Sequence, residues 1–363
     1  MFEAYAQEQL MKKSQKDYLR KLKLSSGIDF SSNDYLGFAR SEDLISDFKV
    51  KVQSLTQMGS TGSRLLSGNQ EYHQETEARV ARIFRSEKAL IFSSGYLLNI
   101  GLIQCIADES CVLLLDELCH NSFIAGAKAS KAKSFYFKHN DMNHLRERLI
   151  RHSNEKCFIL VESLYSMDGD IAPLRDIVQL AEEFNAEVLV DEAHAIGVIG
   201  ENGLGLVTSL GLEDKILGRV ITFGKALGVE GAAILGSETL TKYLINFCQT
   251  FIYTTALSHP LLLMLNSSLD KFSRSRKEIQ RLHENIALFS KNSGFKYASP
   301  IIPWMTETRE KAIGLSELVN NNGFSVFPIF SPTVQKGKER IRIVVHSHNT
   351  ESEILRLTTL MKS

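Results

Sequence analysis

The chain lacks a net charge: 42 Lys+Arg are matched by 42 Asp+Glu among its 363 residues. That balance leaves no overall field to favour nucleic acid or an anionic membrane. Only six prolines and no low-complexity tract are present, which argues against a disordered linker. The five cysteines (Cys105, Cys111, Cys119, Cys157 and Cys248) include no CxxC pair, and an odd number does not make a fully paired disulfide framework. They read as buried thiols in a reducing compartment, and no metal centre is expected. No apolar run reaches the roughly 20 residues that cross a bilayer. The opening Met1-Phe2-Glu3-Ala4 leads into a polar stretch without the basic and apolar regions of a secretory signal. A cytosolic location is therefore the expectation.

What is present is ordinary for a globular protein, with 44% apolar and 23% charged residues. The length suits a large domain with a smaller companion. Residues from Glu3 to about Leu24 read as an amphipathic helix, followed by a short strand at Ile28–Ser31. From Ala89 onward, short apolar runs alternate with helix-period segments. The runs are 89–92, 111–115, 134–137, 157–161, 187–190, 219–223 and 232–235, with helices such as 142–151 and 174–184 between them. Continuous apolar strands separated by helices predict an α/β fold with a mostly parallel sheet covered on both faces. A long helical region at 261–290 then leads to a smaller α+β part, with strands near 325–329 and 340–345. The expected division is an N-terminal helical arm (1–45), a large α/β domain (46–256) and a small C-terminal domain (257–363).

In an open parallel sheet, ligands bind beyond the carboxyl ends of the strands. The 187–190 strand runs into Asp191-Glu192-Ala193-His194, and an acid there is costly without a partner. The next strand ends in Thr222-Phe223-Gly224-Lys225. A lysine in so apolar a segment loses affinity for its proton through desolvation, as an amine nucleophile requires. Taken singly, Asp191 reads equally as a helix cap and Lys225 as half of a salt bridge; their placement on neighbouring strand ends changes the weighing. Pyridoxal phosphate needs a lysine for an imine, a carboxylate for the ring nitrogen, a flat group on the ring face and a phosphate cup. Ser93-Ser94-Gly95-Tyr96, opening a helix after a strand, is a candidate cup. His120 is a candidate for the ring face, although a lone histidine is more often a cap or a surface residue.

With these residues assembled, the chain resembles the α-oxoamine synthase family of fold-type I pyridoxal-phosphate transferases, from about Ile28 to His348. The resemblance rests on ordered motifs: Ser32-Asn33-Asp34-Tyr35-Leu36-Gly37, the stretch Gly59–Asn69 (GSTGSRLLSGN), Glu162–Asp170 (ESLYSMDGD), Asp191–His194, Thr222–Lys225 and Phe251–Thr255. Within the family, Gly59–Asn69 is most similar to the biotin-pathway branch, which joins L-alanine to a pimeloyl thioester with loss of CO₂. The thioester carrier would be coenzyme A or acyl carrier protein.

Carried over by motif position, the resemblance implies that Lys225 holds the cofactor as a Schiff base and moves the Cα proton. Asp191 is implied to pair with the ring nitrogen, and His194 and Ser166 to contact the ring's phenolic oxygen. His120 would stack on the ring. Gly95, Tyr96 and Thr222 would hold the phosphate, and Thr254 would reach the cofactor of a neighbouring subunit, making the enzyme a homodimer. Arg342 is implied to grip the amino-acid carboxylate, a job that suits a guanidinium fork. Asn33 and Glu162 would line the substrate pocket.

Thr61 stands where the family often has glycine, Ala195 where serine is frequent, His259 where a second proline is common, and Gln335 where proline follows Pro332-Thr333-Val334. None of these departures removes a catalytic group; they bear on the acyl-chain pocket. The competing readings are a family member using glycine, serine or another acyl chain, an aminotransferase, and a catalytically silent scaffold. The last would be expected to lack Lys225, Asp191 or His120. A dinucleotide-dependent dehydrogenase is disfavoured because no GxGxxG follows an early strand.

Overall fold

Alternation along the central strands explains the architecture. In strand β3 (Cys111–Asp116), Val112 and Leu114 belong to one apolar cluster, while Leu113 and Leu115 belong to another. Successive side chains of a strand point to opposite faces, so both faces of this strand need cover. One face is covered by the 95–106, 121–129 and 238–247 helices through Leu98, Leu102, Phe123 and Leu244. The other is covered by the 142–151 and 174–184 helices through Leu145, Leu149, Ile177 and Ala181.

The structure is a computed structural model and describes every residue except 16–18, 21, 23 and 363. A seven-stranded sheet forms its centre. Strand β1 (Ile28–Asp29) lies outside this sheet and pairs in parallel with β10 (Phe324–Ser325). The central strands are β2 (Lys88–Phe92), β3, β4 (Lys133–Phe137), β5 (Lys156–Glu162), β6 (Glu187–Asp191), β7 (Gly218–Thr222) and β8 (Ala232–Gly236). Their order is β2-β8-β7-β6-β5-β3-β4. Only β8 runs against its neighbours, pairing antiparallel with both β7 and β2. The carboxyl ends of β2, β3, β5, β6 and β7 therefore open on one edge, and that edge carries the site.

A second, antiparallel sheet has the order β11-β12-β9, with β9 Ile301–Met305, β11 Phe327–Ile329 and β12 Arg340–Val344. A third apolar cluster joins it to the first sheet: Ile221 and Phe223 share a core with Leu262, Phe272, Leu282, Ile341 and Ile343. Burial of each such side chain contributes about 1.5–3 kcal/mol relative to exposure.

The structure corrects the sequence reading in several places. The first helix spans Phe2–Gln15 and buries none of its residues. Leu19, Leu22 and Leu24, expected within it, are exposed and non-helical, while 16–18, 21 and 23 lie outside the described residues. The 261–290 region is two helices, His259–Phe272 and Arg276–Ser293. The break falls where the hydroxyls of Ser273 and Ser275 bond backward to the carbonyls of Leu269 and Phe272, competing with helix continuation. Strand β9 escaped the sequence reading because Pro303 weakens a strand signal; as an edge strand, β9 tolerates it. The expected 325–329 strand is divided between β10 and β11, which belong to different sheets. All five cysteines are free, with Cys105 partly accessible and the others buried. No helix among the described residues is long and apolar enough to cross a membrane.

Candidate active site

The sheet edge opens into a cleft of about 440 Å³ lined by Asn33, Gly95, Tyr96, His120, Glu162, Asp191, His194, Thr222 and Lys225, among others. Most arrive there because a strand or helix begins or ends there, while Asn33 comes from the loop after β1. Glu162 and Asp191 are the terminal residues of β5 and β6 and lie in register, so two carboxylates sit side by side. Thr222 ends β7, and Lys225 follows three residues later, its Nζ donating to Thr222 Oγ1 at 3.1 Å.

Burial lowers the Lys225 pKa; nearby Asp191 and Glu162 pull it upward, and the Arg342 charge pushes it down. Burial raises Glu162 well above the usual carboxylate range, and the charge of Asp191 adds to this. Burial thus favours the protonated form of Glu162, whose Oε2 accepts the Ser166 N–H at 3.3 Å and whose Oε1 is buried without a hydrogen-bond partner among the described residues. Asp191 is instead provided with donors. Oδ1 accepts the Ala193 N–H at 2.9 Å, and Oδ2 accepts the Asn99 side-chain amide at 2.8 Å. Asn99, itself buried, also donates to Ser122 Oγ at 2.9 Å.

The helix Gly95–Ile106 begins at the cleft wall, and its first N–H groups have no intrahelical acceptors. Ser94 Oγ takes the N–H of Leu97. A Cβ on Gly95 would stand 2.6 Å from Thr222 Cγ2, so glycine is what allows the helix start to lie against the end of β7. His120 is the N-cap of the Asn121–Ala129 helix, its Nδ1 accepting the Ser122 N–H, and it faces the same cleft. One side chain thus caps the helix and faces the cleft. Burial lowers its pKa, opposed by Asp191.

Nδ1 of His194 lies 2.6 Å from the Tyr35 hydroxyl. Burial lowers the His194 pKa well below the usual imidazole value, with the charges of Lys225, Arg342 and His120 adding to it. Burial raises that of Tyr35. A protonated phenol beside a neutral imidazole donates to Nδ1, which leaves the His194 proton on Nε2. Tyr35 and Asn99 are the residues that the sequence reading missed in these roles. Tyr35 lay inside a quoted motif, and Asn99 sits one helical turn beyond the Gly95 start, with nothing local to mark it.

Ser166, Arg342 and Thr254 do not line this cleft. Arg342, on β12, donates from Nε to the Ser166 carbonyl at 2.7 Å and from Nη2 to Asn33 Oδ1 at 3.0 Å, which places it directly behind the Asn33 wall. Thr254 lines a separate pocket with Arg64, His73, Ser93 and Thr255. Thr61 has φ 52°, a left-handed conformation that glycine adopts freely and threonine does not.

The residues of the cleft fit pyridoxal 5′-phosphate. A desolvated amine and a hydrogen-bonded carboxylate share one space, and a helix start with a close-fitting glycine provides an anion cradle.

The family model for aminotransferase class I and II matches residues 25–359. The 8-amino-7-oxononanoate synthase 2 of Bacillus subtilis is 35% identical over 333 residues, covering 90% of this chain and 85% of that protein. Among solved structures, serine palmitoyltransferase from S. paucimobilis with PLP bound as a myriocin adduct superposes with a TM-score of 0.89 at 26% identity, over 98% of this chain and 95% of that one. The 8-amino-7-oxononanoate synthase from Francisella tularensis does so with a TM-score of 0.80 at 28% identity, over 93% of this chain and 97% of that one. With a family match across nearly its whole length and a cleft of this make-up, the chain belongs to the aminotransferase class I and II family, within its α-oxoamine synthase branch, and is a pyridoxal-phosphate-dependent acyltransferase.

Proposed function

We propose that the enzyme condenses L-alanine with a pimeloyl thioester, releasing CO₂ and the thiol carrier and forming 8-amino-7-oxononanoate. The observation that carries the chemistry is the convergence of Lys225 and Asp191 on one cleft. The choice of substrates is supported by the Gly59–Asn69 motif and by the relatives from Bacillus subtilis and Francisella tularensis that bear that name.

In this reading Lys225 holds the cofactor covalently. Thr222 and the N–H groups of Gly95 and Tyr96 take its phosphate, with Thr254 of a second subunit completing the cup in a homodimer. When bound, the cofactor supplies a protonated ring that accepts the electrons released at the amino acid's α-carbon. Asp191 keeps that ring nitrogen protonated, its own orientation held by Asn99 and the Ala193 N–H. His194 and Ser166 address the phenolic oxygen, the former through its Nε2 proton, and His120 covers the ring face. Arg342 binds the amino-acid carboxylate, and Asn33 and Glu162 shape the pocket around it. The Lys225 amine, whose hold on its proton is weakened by desolvation, takes the α-proton and later returns one.

A second reading, serine or glycine with a different acyl thioester, is favoured by the superposition on serine palmitoyltransferase. Purified enzyme loaded with pyridoxal phosphate tests both. Alanine, serine and glycine are added in turn while the visible band is followed, and product is then measured with pimeloyl and longer acyl thioesters. Turnover confined to alanine plus a pimeloyl thioester is expected. Turnover confined to another pair would replace this substrate assignment with that one, and a protein that takes up no cofactor would overturn the chemistry altogether.

A further inference from the structure

In the turn after β4, His139 has a carboxylate on each ring nitrogen. Nδ1 is 2.9 Å from Asp116 Oδ1, and Nε2 is 2.7 Å from Asp170 Oδ2. Asp116 ends β3 and is fully buried, its oxygens also accepting the N–H groups of Leu118 (2.9 Å) and Asn140 (3.0 Å). Asp170 belongs to the loop after β5 and takes a further bond from the Asn140 amide at 2.8 Å. The ring of Tyr165, from the same loop, stands edge-on to the imidazole with centroids 4.4 Å apart, and Glu117 accepts the His139 N–H. Burial opposes a charge on His139, but the two aspartates overcome it and carry its pKa up to about 10. At neutral pH the ring is therefore a cation with both N–H groups donating, a two-sided bridge between β3 and the 163–171 loop.

The far side of that loop reaches the substrate-binding arginine. Its shape is closed by the Tyr165 N–H on the Asp170 carbonyl (3.0 Å), the Gly169 N–H on the Tyr165 carbonyl (3.0 Å) and a bridge between Leu164 and Ile171. So held, the loop presents the Ser166 carbonyl to Arg342 Nε and the Met167 carbonyl to Arg340 Nη1. We propose that His139 is a positioning residue for the amino-acid substrate: by bridging Asp116 and Asp170 it sets the loop whose Ser166 carbonyl aims the Arg342 guanidinium. This rests on Arg342 as the carboxylate clamp. His139 touches no reacting atom. It acts through a loop that ties β3, and hence the segment leading to His120, to the strand that carries Arg342.

The test is steady-state kinetics of the holoenzyme with His139→Gln, Asp170→Asn, Arg342→Ala and the His139→Gln/Arg342→Ala double variant. Alanine affinity is read independently from the visible band of the bound cofactor. His139→Gln and Asp170→Asn are each expected to raise the alanine KM and dissociation constant about tenfold, the worth of one charge-assisted hydrogen bond. KM for the acyl thioester should stay within about twofold, and His139→Gln should add nothing once Arg342 is alanine. Should His139→Gln fail to fold, Asp170→Asn, which keeps size and shape, decides alone. Unchanged alanine affinity in the loop variants, alongside a loss in Arg342→Ala, overturns the positioning role and leaves the clamp standing. So does a parallel loss of affinity for both substrates. Unchanged alanine affinity in Arg342→Ala overturns the clamp itself.

Discussion

The side-chain amide of Asn99 donates to Asp191 Oδ2 at 2.8 Å and to Ser122 Oγ at 2.9 Å, so one buried amide joins the acid at the end of β6 to the helix that His120 caps. A buried carboxylate facing a cleft needs such a partner to offset the loss of water and to hold its aim. Replacing Asn99 with leucine keeps the volume and removes both bonds. The expected cost is about 1–3 kcal/mol of stability, with weaker cofactor retention. Thermal unfolding and a cofactor titration measure the two effects, and unchanged cofactor affinity would separate Asn99 from the role of Asp191.

Asp191→Asn preserves this geometry while removing the charge. The fold should survive, and turnover should fall on the order of a hundredfold or more, the scale of losing a proton held in place during catalysis. Circular dichroism and steady-state rates check the pair of outcomes. Near-normal turnover would remove Asp191 from the ring-nitrogen role.

Thr61, at φ 52° and exposed, carries a strained backbone for a β-branched residue. Thr61→Gly should therefore leave stability unchanged or raise it by about 1 kcal/mol, in contrast with most glycine substitutions. Denaturant unfolding decides, and a loss above about 1 kcal/mol would show that the threonine side chain is structurally needed.

His139 gives the fold a pH dependence of defined sign. Its folded pKa, about 10, lies above the ordinary imidazole value of 6.5. Its contribution to stability is accordingly complete below pH ~6.5 and is lost as pH rises through about 10. Comparing unfolding free energies of the native chain and His139→Gln across that window should show a difference that shrinks as pH rises. A difference that stays constant would mean the ring is not a cation in the folded state.

Much of the frame was legible along the chain. The central strands and the helices at 142–151 and 174–184 stand where the apolar runs and helical periods put them, because the inner strands of that sheet are buried on both faces and had to be apolar. Legibility failed where local signals conflict with tertiary context. Pro303 concealed an edge strand, serine hydroxyls split an apparently continuous helix, and Val326 lies where one extended segment passes between two sheets. Within the site, Lys225 and Asp191 could be picked out as polar residues ending apolar strands. Asn99, Tyr35 and His139 could not, since a buried amide, phenol or imidazole is interpretable only through partners 92, 159 and 31 positions away.

The sequence by itself determined which segments become strands and helices, and it supplied the amine, the acid and the glycine-bearing helix start. These are local matters of side-chain size, polarity and backbone freedom. Only the tertiary structure decided that β2, β3, β5, β6 and β7 end on one edge, that Asp191 is given donors while burial pushes the neighbouring Glu162 pKa up, and that a loop held by His139 carries the carbonyl that orients Arg342. Burial and the partners brought near by folding make those differences, and they belong to no residue until the chain has closed around it.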